Sequence, residues 1–235
     1  TSSLLLRIVL AMPRKSNEPT EPIFRFRRHE HLTRAGEPQD SIFCIEEGWV
    51  GRYTVLGAGR RQITALYLPG DYCEPQWIIA PVSSEWIVAL SDVAVSGIQL
   101  HQVIGGQATD PAASRRILAD IPCLLARQSA LVAAVGRKSG VERLCALLSH
   151  LCERSAGGAV SGWSGAIPLT QGDLADIVGL TPIHVNRVLK ELRARGTIEV
   201  RRGALIVLDP EKLRAMADRA HFGSFRTGSS RQQGV

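Results

Sequence analysis

A chain of 235 residues with 45% hydrophobic content suits one large domain or two small ones, each able to bury a core. Its net charge of +6 favours a polyanionic partner. The five cysteines, Cys44, Cys73, Cys123, Cys145 and Cys152, form no C-x-x-C pair, which argues against a disulfide framework or a closed zinc site and fits a reducing compartment, the cytoplasm.

Residues 1–11 hold a short apolar stretch (Leu4, Leu5, Leu6 and Leu10) without a signal-peptide pattern, and Met12 is an alternative start. Pro13, Pro19 and Pro22 interrupt any regular element, so residues 1–22 are expected to form a mobile segment. No apolar run reaches the length of a membrane span, and no membrane partner is expected.

From about residue 23 to 105, short alternating apolar runs are separated by turn signals. The runs cover 41–45, 49–55, 62–68, 85–90 and 93–98. Glu47-Gly48, Gly57-Ala58-Gly59, Pro69-Gly70 and Ser91-Asp92 punctuate them. Many short strands at such spacing predict a β-sandwich or small barrel.

The pattern changes near residue 111. Leu118, Ile121, Leu125, Gln128, Val132 and Val135 recur at steps of three and four, the stripe of a helix that packs on a copy of itself. The alternative is a helix lying on its own β-domain. Gly136 and Gly140 bracket a hinge, after which Val141, Leu144, Leu148 and Leu151 mark one face of a second helix. Residues 157–165 read as a glycine-rich loop.

The third part begins near Ile167. Thr170 is placed to cap a helix and Asp173 to return the capping bond, with Leu174, Ile177 and Val178 on its apolar face. Gly179 supplies a tight turn. Thr181 then caps a second helix that has Pro182 at its first position. Val185, Val188, Leu189 and Leu192 face inward, leaving Ile183, His184, Asn186, Arg187 and Lys190 outward or at the boundary. Two helices joined by a glycine turn, the second with a polar, basic face, form a helix-turn-helix. Two β-rich runs around Arg202-Gly203 follow as a wing, and Asp209-Pro210 starts a final helix. From residue 180 to 203 there are six Lys or Arg against two Glu. Candidate contacts to double-stranded DNA are Thr170, Gln171, Thr181, Pro182, Ile183, His184, Asn186, Arg187, Lys190, Arg201 and Arg202.

Residues 169–196 resemble the DNA-binding part of the catabolite activator/fumarate-nitrate regulator (Crp/Fnr) superfamily. Glu46-Glu47-Gly48-Trp49-Val50, Gly59-Arg60-Arg61-Gln62-Ile63 and Leu68-Pro69-Gly70-Asp71-Tyr72-Cys73 resemble the sensor domain of an alphaproteobacterial branch. The resemblance covers about residues 23–218. It implies an α+β protein: a β-roll sensor domain like those that bind cyclic nucleotides (23–110), a dimerisation helix (111–138) and a winged helix-turn-helix (139–220); residues 221–235 beyond it are expected to form a mobile tail. It also implies a homodimer on a palindromic site, with RNA polymerase as a candidate partner.

Two departures matter. Members that bind cyclic nucleotides carry a Gly-Glu pair after the Pro-Gly-Asp turn, and an arginine that pairs with the phosphate. Here the matching stretches read Cys73-Glu74-Pro75 and Ser83-Ser84, and no arginine lies between Arg61 and Arg115. The pocket of Gly70, Asp71, Glu74, Ser83 and Ser84 is therefore expected to be degenerate, with no cAMP response and an unknown effector. The second departure is in the recognition helix, where members commonly read Glu-x-x-Ser-Arg and this chain has Ile183-His184-Val185-Asn186-Arg187. Arg187 matches in type and can reach guanine, Asn186 can pair with adenine, and Ile183 cannot accept a bond from cytosine.

Other sensors fit less well. No cysteine precedes Cys44, as the iron–sulfur branch requires, and His29, His31 and His101 are scattered. A cupin-like enzyme would use His29, His31 and Glu37 as metal ligands, but no histidine follows the Pro69-Gly70 turn until His101. No G-x-S-x-G elbow supports a hydrolase. The expectation is a protein without enzymatic activity, cofactor or metal. Control through abundance, or through oxidation of Cys44 or Cys73, is an alternative input.

Overall fold

The computed structural model describes residues 22–104, 111–155, 166–201 and 204–218. The expectations for residues 1–21, the 157–165 loop, Arg202-Gly203 and the 221–235 tail lie outside the described residues.

The first half folds into two four-stranded antiparallel sheets. One orders β1 (Ile23–Phe26), β8 (Val93–Gln99), β3 (Ser41–Glu47) and β6 (Tyr72–Cys73). The other orders β2 (His31–Thr33), β7 (Trp86–Ala89), β4 (Val50–Val55) and β5 (Arg61–Tyr67). The five apolar runs of the sequence became β3, β4, β5, β7 and β8. β1, β2 and β6, of four, three and two residues, are too short to stand out. At the β3–β4 turn, Gly48 has φ +81, and a Cβ there would sit 2.0 Å from the Asp92 carbonyl oxygen, so only glycine fits.

Along β7 the second sheet is buried on both faces. Ile87 and Ala89 join the core between the sheets with Ile42, Ile45, Val50 and Tyr67. Val88 and Leu90 join Trp49, Ile63 and Leu68 in a second core shared with the C-terminal half.

After the short α1 (Leu100–Val103) comes α2 (Pro111–Arg137), 27 residues long. By length and composition it could cross a membrane, which corrects the expectation that no segment could. The apolar residues are distributed over two faces rather than gathered in one run. Ala113, Ile117 and Leu124 are buried in the inter-sheet core. Leu118, Leu125 and Val132 are 45%, 58% and 72% exposed on the other face, with Ile121, Gln128 and Val135 half-buried beside them. One stripe thus packs on the chain's own β-domain, and the stripe expected to meet a second copy is open in the single chain.

The helix breaks at Lys138 and Ser139, between the two hinge glycines. Ser139 starts α3 (Gly140–Ser155) with a local reciprocal cap, as its N–H donates to Glu142 at 2.7 Å and its Oγ accepts from the Glu142 N–H. Leu144, Leu148 and Leu151 are buried and Val141 packs beside them. The chain ends in β9 (Ala166–Ile167), α4 (Gln171–Val178), α5 (Pro182–Ala194), β10 (Ile198–Arg201), β11 (Ala204–Val207) and α6 (Pro210–Asp218). A three-stranded sheet in the order β10, β11, β9 flanks the helices.

Candidate nucleic-acid interface

Local chemistry sets the two helices. The Thr170 hydroxyl accepts from the Asp173 N–H at 3.1 Å, and Asp173 accepts from the Thr170 N–H at 3.0 Å, so the predicted capping box is formed. Gly179 ends α4 in the left-handed region at φ +66, where other residues are strained. Thr181 caps α5 by accepting from the His184 N–H at 3.3 Å, and Pro182 opens the helix.

Val185, Val188, Leu189 and Leu192 are buried, which fixes the rotation of α5. Its outer face presents Ile183, Arg187 and Lys190, all exposed, and Asn186, half-buried. Asn186 Nδ2 donates to Gln171 Oε1 at 2.9 Å, tying the start of α4 to α5. Thr170, Gln171, Thr181 and Pro182 are exposed along the same edge. His184 differs from the rest. It is half-buried, and a Cβ at Gly140 would lie 2.9 Å from its Nε2, so the ring packs over the start of α3. It also sits 3.4 Å from Arg187 Nη2. Arg201 on β10 pairs with Glu199 at 2.7 Å in an exposed bridge of the kind that contributes little to stability. Arg202 lies outside the described residues.

The five residues grouped as an effector pocket do not converge. Gly70 and Ser84 are exposed. Asp71 turns toward the helices and pairs with Arg127 at 3.4 Å and with Arg154. Ser83 is buried and donates to the Glu85 carbonyl at 2.7 Å. Glu74 alone points into the β-domain, with φ 52 at a residue that is 1% exposed. There it accepts from Arg52 Nη1 at 3.1 and 3.2 Å, from the Tyr67 hydroxyl and from Gln76 Nε2. Arg52 also reaches Glu85 at 2.7 Å. Burial, and next the neighbouring Glu74, push the Tyr67 phenol well above its usual range and keep it a donor.

The alternative inputs fare worse. Cys44 and Cys73 are fully buried, and burial pushes the Cys73 thiol well up, away from the reactive thiolate. His31 bonds the Tyr53 hydroxyl at 2.8 Å and Glu37 takes the Arg34 N–H. Among the described residues no three His, Cys, Asp or Glu side chains group as metal ligands, and the cupin-like set is not assembled.

The joint between the halves has no signature in local sequence patterns. Arg61 on β5 donates through Nε to Asp176 at 2.7 Å and through Nη2 to Asp173 at 2.8 Å. Gln62 donates to the Ile177 carbonyl at 3.1 Å, and Arg28 reaches the Pro168 carbonyl at 2.6 Å. Asp173, which returns the capping bond to Thr170, is thus also an anchor on the β-domain.

Comparison with known proteins agrees with this arrangement. Residues 142–216 match the Crp-like helix-turn-helix domain, and residues 23–105 match the cyclic nucleotide-binding domain. The nitrogen fixation regulation protein FixK of Rhizobium meliloti is 30% identical over 184 residues, 78% of this chain and 81% of that protein. Electron transport regulator A of Shewanella oneidensis is 27% identical over 191 residues, 81% of this chain and 76% of that protein. The structure of FixK2 from Bradyrhizobium japonicum shares the fold, with a TM-score of 0.72 at 24% identity over 84% of this chain and 98% of that one. Fold and matches define the class: a transcription regulator with a β-sheet domain of the cyclic-nucleotide-binding type and a helix-turn-helix DNA-binding domain. The chain belongs to the Crp/Fnr family.

Proposed function

We propose that the chain acts as a homodimer that reads a palindromic DNA site through residues 181–194, in the cytoplasm, with no membrane partner, no catalytic activity and no cofactor. The observation that carries this is the outer face of α5, where Asn186, Arg187 and Lys190 are held outward by a fully buried opposite face. A recognition helix enters the major groove by its N-terminal residues. Arg187 pairs with guanine O6 and N7, and Asn186 with adenine. Thr170, Gln171, Thr181 and Pro182 border the groove, and Arg201 and Arg202 of the wing meet phosphates. RNA polymerase is the partner through which bound DNA would be put to use.

Arg187→Ala is expected to weaken the selected site and flatten the preference for one guanine per half-site, worth ~1–3 kcal/mol. Arg202→Ala is expected to weaken all sequences alike and lower the salt slope by about one. Titrating both variants against matched and singly substituted sites at several salt concentrations separates the two roles. Equal loss on every sequence for Arg187→Ala would make it a phosphate ligand and move the recognition face elsewhere.

The sensor domain is read as unresponsive to cyclic nucleotides. Its buried carboxylate already holds the chain's own Arg52, and no further arginine stands between Arg61 and Arg115 for the phosphate. Calorimetry with cAMP and cGMP is expected to show no binding in the low micromolar range, on the order of −8 kcal/mol. A saturable isotherm at that strength would reverse the reading.

A further inference from the structure

We infer that Ile183 is a specificity residue that reads the 5-methyl group of a thymine within each half-site. The inference rests on the DNA reading of α5 and adds the chemical group that one side chain recognises. Ile183 is the second residue of α5 and 84% exposed, the most open large hydrophobic side chain among the described residues. Single exposed apolar residues are common on protein surfaces and mean little by themselves. The position of this one is what matters. Asn186, Arg187 and Lys190 follow it at i+3, i+4 and i+7, so it shares their stripe. Leu192 and the other buried residues occupy the opposite side of the helix, and Ile183 stays open among the described residues.

The edges of the bases in the major groove are hydrogen-bond donors and acceptors, with one apolar group among them, the thymine methyl. Isoleucine has no donor or acceptor in its side chain. Seated over a cytosine or adenine amine, it would strip water from that donor and return nothing. Seated over a thymine methyl, it buries apolar surface on both sides. Steric and polar terms therefore favour the same base. Ile183 lies one turn, ~5.4 Å, before Arg187, and base pairs are spaced by ~3.4 Å. The thymine is placed within about two base pairs of the guanine read by Arg187.

The test removes the methyl and nothing else. A site selected from random DNA by the full-length protein is remade with deoxyuridine replacing each thymine in turn. Wild type and Ile183→Ala are titrated against the series, with circular dichroism confirming that the variant is folded. One position is expected to weaken wild type about fourfold per half-site, the ~0.8 kcal/mol of one buried methyl group. Ile183→Ala should bind the thymine and deoxyuridine forms of that position alike. If Ile183→Ala keeps the wild-type sensitivity to every deoxyuridine, or if no deoxyuridine weakens wild type, the assignment to Ile183 is wrong while sequence-specific binding stands. If selection recovers no preferred sequence, the DNA reading of α5 falls, and this assignment with it.

Discussion

Glu74→Ala is expected to lower the unfolding free energy by about 3–5 kcal/mol. The carboxylate is 1% exposed and faces three donors, those of Arg52, Tyr67 and Gln76. Its removal leaves a guanidinium that is itself only 9% exposed, with Glu85 as its remaining carboxylate partner. The phenol of Tyr67 is left without its acceptor in the centre of the β-domain. A buried charge or donor that loses its partner costs more than the pair contributed when intact. Glu74→Gln keeps the shape and an acceptor oxygen, so it should lose roughly half as much. Urea denaturation followed by tryptophan fluorescence measures both, since Trp49 and Trp77 are buried in this half. A loss under about 1 kcal/mol for Glu74→Ala would mean that water or a rearranged Glu85 takes over, and that the network is not what closes the sensor interior.

The second large effect concerns the open stripe of α2. Replacing Leu125 and Val132 together with glutamate is expected to give folded monomers. Their DNA affinity should fall by roughly 10²–10⁴, because each half-site is then bound without the effective concentration that a linked second reader provides. Both side chains are largely exposed within one chain, so the change removes little packing from the monomer. Sedimentation velocity reports the assembly state and titration of the selected site reports the affinity. A variant that still sediments as a dimer would place the interface elsewhere.

What was legible in the sequence was local. The Thr170–Asp173 box, the Gly179 turn and the Thr181-Pro182 start each lie within a few residues, and periodicity alone separates the buried from the open face of α5. The same logic found the Leu118, Leu125 and Val132 stripe. It offers a helix lying on its own β-domain only as the alternative and does not name the Ala113, Ile117 and Leu124 face, because one helix can carry two apolar stripes and periodicity does not say which one has a partner. What remained hidden was non-local. Arg52 and Glu74 stand 22 residues apart and meet only because β4 and the turn after β6 fold over one interior. Glu74 reaches it from a left-handed backbone conformation that neither it nor Pro75 announces. Arg61 stands out in the sequence only as part of the Gly59–Ile63 stretch, and its partners lie 112 and 115 residues away. His184 falls at the edge of the outer face in a helical projection, where only the nearness of Gly140 decides that it turns inward.

The core that runs from Trp49, Ile63, Leu68, Val88 and Leu90 into Leu174, Ile177 and Val178 crosses the line at which a reader would cut the chain in two. A winged helix of this size has little surface to bury by itself and is marginal in isolation. Here α4 adds to the hydrophobic cover of a sheet that belongs to the other half. The two halves are thereby expected to unfold as one cooperative unit: fraying of the DNA-reading end would expose apolar surface on the β-domain too, raising the cost of local opening toward that of global unfolding. Cut free at the hinge, the DNA-reading half would lose part of the rigidity that orients α5.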